Sequence, residues 1–94
     1  MQTFYLGIDV SKGYADFIIL NNQKKVVVEN FQLDDTFEGH CFLYELLMNF
    51  LTKNKESIIY AAVESTGGYE NNWYNSLLAY QGSFEGIRLT EHAL

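Results

Sequence analysis

The chain reads as a mixed α/β domain built on a five-stranded sheet in the order 3-2-1-4-5, with helices covering it. Three observations carry that expectation. Strand-length apolar segments recur along the chain, some of them alternating with polar residues. Two further segments repeat apolar residues at helical spacing, and each lies between strands. The three strands before the first helix look like an antiparallel meander, and a right-handed helical crossover would then bring the fourth strand beside the first.

The elements follow in order. Residues 3–9, "TFYLGID", form the first strand, and "GYADFIILNN" the second, with Ala15, Phe17 and Ile19 on one face and Asp16 on the other. Asn21-Asn22 is a turn signal, since Asn tolerates the left-handed backbone of tight hairpins. "KVVVENFQL" is the third strand. Asp35 and Glu38 stand at capping-box spacing before a helix whose stripe is Phe42, Leu43, Leu46, Leu47, Phe50 and Leu51. "ESIIYAAVE" is the fourth strand. It is apolar from Ile58 to Val63 without alternation, as expected of a strand covered on both faces. "STGG" is a turn, and Tyr69 to Gln81 a second helix, with Trp73, Leu77 and Leu78 inward and Gly82 as its stop. "FEGIRLT" is the fifth strand.

Composition narrows the function classes. Twelve acidic residues against six basic ones give a net charge of −6. A stand-alone nucleic-acid binder usually shows the opposite balance. The apolar start is short and broken by Asp9, so it is neither a signal peptide nor a membrane span. Cys41 is the only cysteine, which excludes an internal disulfide and favours a reducing, cytoplasmic setting. With no proline, repeat or linker, residues 1–94 read as one unit. The end, "IRLTEHAL", has no closing element, and we expect a fragment of a longer protein.

The expected order places two acids together. Asp9 ends the first strand and Glu64 the fourth. Parallel neighbours point their carboxyl ends the same way, so both carboxylates meet at the sheet edge where α/β folds usually hold their sites. An aspartate at a strand end is more often a turn former, and a glutamate before a glycine turn is usually solvated. Two acids held side by side repel, however, and a shared Mg²⁺ or Mn²⁺ is the usual reason for such a pair.

"GIDVSKGYADFIIL" followed by "AAVESTGGYENNWYNSLL" resembles the N-terminal part of the DEDD transposases, the bacterial insertion-sequence family that includes the Piv and MooV DNA invertases. The matching pieces are Gly7 to Lys12, Asp16, Gly39 and Glu64 to Tyr69. The resemblance implies the N-terminal part of a RuvC-like catalytic domain of the ribonuclease H fold. It implies Asp9 and Glu64 as the first two of four carboxylates that hold Mg²⁺ for DNA strand cleavage and transfer, with the later two lying downstream. DNA is the implied partner, a guide-like RNA is used by relatives of the family, and the full-length protein is expected to be a homo-oligomer. With half the ligands missing, the 94-residue chain alone is expected to bind metal weakly and to be inactive.

Other residues receive shorter readings. Lys12 could touch a phosphate, and the backbone of Ser65, Thr66 and Gly67 could hold an anion at a helix start. A solvated lysine and a plain capping turn are at least as common. Tyr69 and Trp73 stand one helical turn apart and could stack on a base, although packing is commoner. Asp16 could face the site or solvent, with solvent the expected side, Cys41 is expected in the core, and His40 and His92 have no assigned role. Two rivals remain. Actin-fold sugar kinases also open with a Gly-Ile-Asp strand and hairpin, although their turn is typically Gly-Thr or Gly-Ser where Val10-Ser11-Lys12 stands here. A non-catalytic interaction domain would also fit the acidic surface.

Overall fold

Burial alternates strictly from Phe4 to Ser11. Phe4, Leu6, Ile8 and Val10 are buried, while Tyr5 and Asp9 between them are exposed. That period of two is what a strand with one covered face requires. The computed structural model describes residues 2–64, 67–83 and 85–90. Its elements run β1 (Gln2–Ser11), β2 (Tyr14–Asn21), β3 (Val26–Asp34), α1 (Phe37–Lys53), β4 (Ser57–Glu64), α2 (Asn71–Ser83) and β5 (Ile87–Leu89). They form one mixed sheet in the order β3-β2-β1-β4-β5. β1 pairs antiparallel with β2 and parallel with β4, as the meander and the helical crossover predict.

Both helices lie on the same face of the sheet. The core gathers Phe4, Leu6, Ile8, Phe17, Ile19, Ile59, Ala61 and Val63 from that face with Leu43 and Leu47 of α1 and Trp73 and Leu77 of α2. Trp73 is fully buried, its ring edge-on to Phe17 at 5.1 Å. Burying side chains of this size stabilises by roughly 1.5–3 kcal/mol each.

Among the described residues the other face of the sheet has no helix on it, which corrects the reading of β4. Ile58, Tyr60 and Ala62 are not covered on both sides: Tyr60 and Ala62 are exposed, while Ile59, Ala61 and Val63 are buried. An unbroken apolar run fits two buried faces, but here it has one buried face and one apolar bare one.

Smaller differences have local causes. The cap of α1 is Thr36, one residue after the expected Asp35, and its Oγ1 accepts from Gly39 N at 3.1 Å. Phe42 and Leu78 point outward, and Cys41 is exposed where a core position was expected. Gly82 does not stop α2, which continues to Ser83. β5 shortens to Ile87–Leu89. In the β2–β3 hairpin, Asn21 works through its side chain: Oδ1 accepts from Gln23 N and Lys25 N. Lys24 then takes the positive φ, at 64°. Among the described residues no helix is long and apolar enough to cross a membrane.

Candidate functional site

Asp9 lies near the carboxyl end of β1 between buried Ile8 and Val10, so its side chain must point to the bare face. Glu64 ends β4 after buried Val63 and is exposed on that same face. The two are direct register partners in the parallel β1–β4 pairing. Neighbouring strands lie about 4.8 Å apart, so side chains at matched positions of one face are immediate neighbours.

A third carboxylate joins this row. Asp16 of β2 is the antiparallel partner of Asp9. It is half-buried on the bare face, and Oδ1 accepts from Gln32 Nε2 of β3 at 3.2 Å. The row across the carboxyl end of β1 is therefore Gln32, Asp16, Asp9, Glu64. Among the described residues none of the three acids has an ion-pair partner. Nor do any three His, Cys, Asp or Glu side chains there close into a metal cage. The arrangement is an open row of hard oxygen donors, the ligand chemistry that suits Mg²⁺ or Mn²⁺.

The sheet around the row is shaped by small residues. One same-face step from the row, towards the amino end of β1, stand Ile18, Gly7 and Ala62, which with Tyr5, Leu20 and Tyr60 line an apolar groove of about 540 Å³. Tyr5 and Tyr60 stack across it at 6.1 Å.

The remaining sequence candidates divide. Lys12 is exposed in the two-residue turn between β1 and β2, where Gly13 supplies a φ of 85°. Gly67 is exposed, and its neighbour Gly68 takes a φ of 78° that other residues rarely adopt. Ser65, Thr66 and His92 lie outside the described residues. Tyr69 is partly exposed beside Gly67, while Trp73 is wholly in the core and unavailable for base stacking.

His40, to which the sequence assigns no role, has polar partners outside the row, just before α1 and on α2. Its Nε2 lies 2.6 Å from Asp35 Oδ1, and its Nδ1 lies 2.6 Å from Ser76 Oγ. Its ring stacks on Trp73 at 3.9 Å, and its backbone oxygen accepts from Tyr80 Oη. Asn72 Nδ2 donates to the second oxygen of Asp35 at 3.0 Å. Asn72, Ser76 and Tyr80 repeat every four residues along α2, a stripe visible in the sequence. Its pairing with His40 is not visible there, because the partners are 36 residues apart on another helix.

No protein-family model matches the chain, and no curated protein matches it.

Proposed function

We propose that this chain is the N-terminal part of a RuvC-like catalytic domain of the ribonuclease H fold, from a DEDD transposase or related site-specific recombinase. The observation that carries the reading is the register pairing of Asp9 with Glu64 on the bare face at the carboxyl ends of adjacent parallel strands. The motifs around them, Gly7 to Lys12 and Glu64 to Tyr69, support the same family. Asp9 and Glu64 would hold Mg²⁺ or Mn²⁺, and the ion would supply Lewis-acid assistance to phosphoryl transfer on DNA. Their exposure leaves room for a substrate backbone beside them.

The actin-fold kinase reading draws less support. It needs an open turn directly after the strand-ending aspartate, to wrap a phosphate. Here Val10 is buried and Ser11 is still in the strand, which leaves only Lys12 and Gly13 in the turn.

Mn²⁺ titration followed by NMR tests the proposal. Paramagnetic broadening should centre on the amides of Asp9, Asp16 and Glu64, and should fall sharply in Asp9→Asn and Glu64→Gln. In the full-length protein the same two substitutions should abolish Mg²⁺-dependent DNA cleavage. Broadening centred elsewhere, or cleavage at the wild-type level in either variant, would refute it. Protection by ATP in a thermal melt would favour the kinase instead.

A further inference from the structure

The geometry points to Ser76 as an activated nucleophile in a second site, on the helix-covered side of the sheet and separate from the carboxylate row. The Asp35 carboxylate accepts hydrogen bonds and cannot donate them. The nitrogen facing it, His40 Nε2, must therefore carry a proton. In the neutral imidazole this leaves Nδ1 as the acceptor, and Nδ1 faces Ser76 Oγ at 2.6 Å. Ser76 also hydrogen-bonds the Tyr80 hydroxyl, and its contact with Nδ1 directs the serine proton at a base that is itself directed by a carboxylate. That is the relation of roles that activates a serine, with the two ring nitrogens exchanged.

The network is also held in place. Asn72 fixes the second oxygen of Asp35, Trp73 fixes the plane of the imidazole, and Tyr80 fixes the backbone that carries it. The carboxylate and the imidazole are each 16% exposed, so water screens them only partly. Ser76 opens onto a cavity of about 840 Å³. Asp35, His40 and Ser76 form one wall of that cavity, and Phe37, Tyr44 and Met48 contribute apolar lining. The compounds this suits carry an electrophilic carbonyl or phosphorus next to an alkyl or aryl group. In the reaction Ser76 Oγ forms a bond to that centre, its proton passes to His40 Nδ1, and the leaving group departs with its bonding pair. The resulting imidazolium is stabilised by Asp35.

An alkyl fluorophosphonate is the probe. Oγ–P forms, P–F breaks, and fluoride leaves. The folded protein should gain one adduct, mapped to Ser76 by peptide mass spectrometry, at least tenfold faster than the urea-unfolded chain. Ser76→Ala should abolish the adduct. Asp35→Asn should slow it at least tenfold while the circular dichroism spectrum stays that of a folded protein. If Asp35→Asn does not fold, Asn72→Ala is the substitute and should slow labelling severalfold. Absence of an adduct on folded wild type, an adduct at another residue, or labelling of the folded Asp35 or Asn72 variant at the wild-type rate would overturn the assignment. A purely structural clamp between α1 and α2 gives the first of these results.

Discussion

The carboxylate row makes a prediction about stability that needs no catalysis. Replacing Asp9 by Asn keeps its shape and removes one charge from a row of three. Its register partners are Glu64 on β4 and Asp16 on β2. At about 5 Å, Coulomb's law gives roughly 3 kcal/mol of repulsion per pair at an effective dielectric of 20, and about 0.8 kcal/mol at that of water. Asp9 and Glu64 are exposed, so the lower figure governs, and about 0.5–1 kcal/mol per pair is the expected scale. Asp9 faces two acids. Glu64 faces one, because the β4–β5 pairing ends at Ala61 and Leu89, short of it. Asp16 has its second neighbour in neutral Gln32. Asp9→Asn should therefore stabilise the metal-free domain about twice as much as Glu64→Gln.

Urea titrations at neutral pH in chelator measure this. With a slope of about 1–1.5 kcal/mol/M, Asp9→Asn should raise the midpoint by close to 1 M and Glu64→Gln by about half that. The gains should shrink at high salt, which screens exposed charges. Millimolar Mn²⁺ should shrink them further, because only wild type then recovers stability by binding. A turn-forming or capping role for Asp9 gives the opposite sign: Asp9→Asn would be neutral or destabilising, and Mn²⁺ would leave the midpoints where they were. That outcome, or equal gains from the two substitutions, would refute the row as a charge cluster.

Two further outcomes test the helix side. Gly39→Ala should destabilise by several kcal/mol despite alanine's advantage of about 1 kcal/mol in a helix, because its Cβ would overlap the Asp34 carbonyl oxygen; thermal melts read this directly. Burial raises the phenol of Tyr80 above its ordinary 10.0, so the stability it contributes is complete below pH 10 and is lost as pH rises further. The stability gap between wild type and Tyr80→Phe, about 1 kcal/mol at pH 8, should therefore narrow as urea titrations move above pH 10.

Much of the architecture is legible in the sequence because period-two burial and helical stripes leave distinct marks. Phe4, Leu6, Ile8 and Val10 alternate with polar or small residues, and a helix between β3 and β4 forces the parallel neighbour that aligns Asp9 with Glu64. Information that depends on which face the helices choose is not local. The run Ile58 to Val63 has the same letters whether one or two faces are buried, so its sequence alone predicts a doubly covered strand. The start of α1 failed for a different reason. Asp35 and Thr36 are both good caps, one residue apart, and the sequence shows no claim on Asp35 from His40 and Asn72. That claim removes Asp35 from capping and leaves Thr36 to bond Gly39 N. Three substitutions separate the two accounts. With Thr36 as the cap, Thr36→Ala should cost about 1 kcal/mol. Asp35→Ala should cost about 2 kcal/mol, since it strips half-buried His40 and exposed Asn72 of a charged partner. Glu38, exposed in the first turn, should change stability by less than about 0.5 kcal/mol as Ala. A capping box from Asp35 to Glu38 predicts instead that Glu38→Ala weakens the helix and that Thr36→Ala is silent. Urea midpoints of the three variants decide between them, and a Glu38→Ala loss matching that of Asp35→Ala would restore the capping-box register.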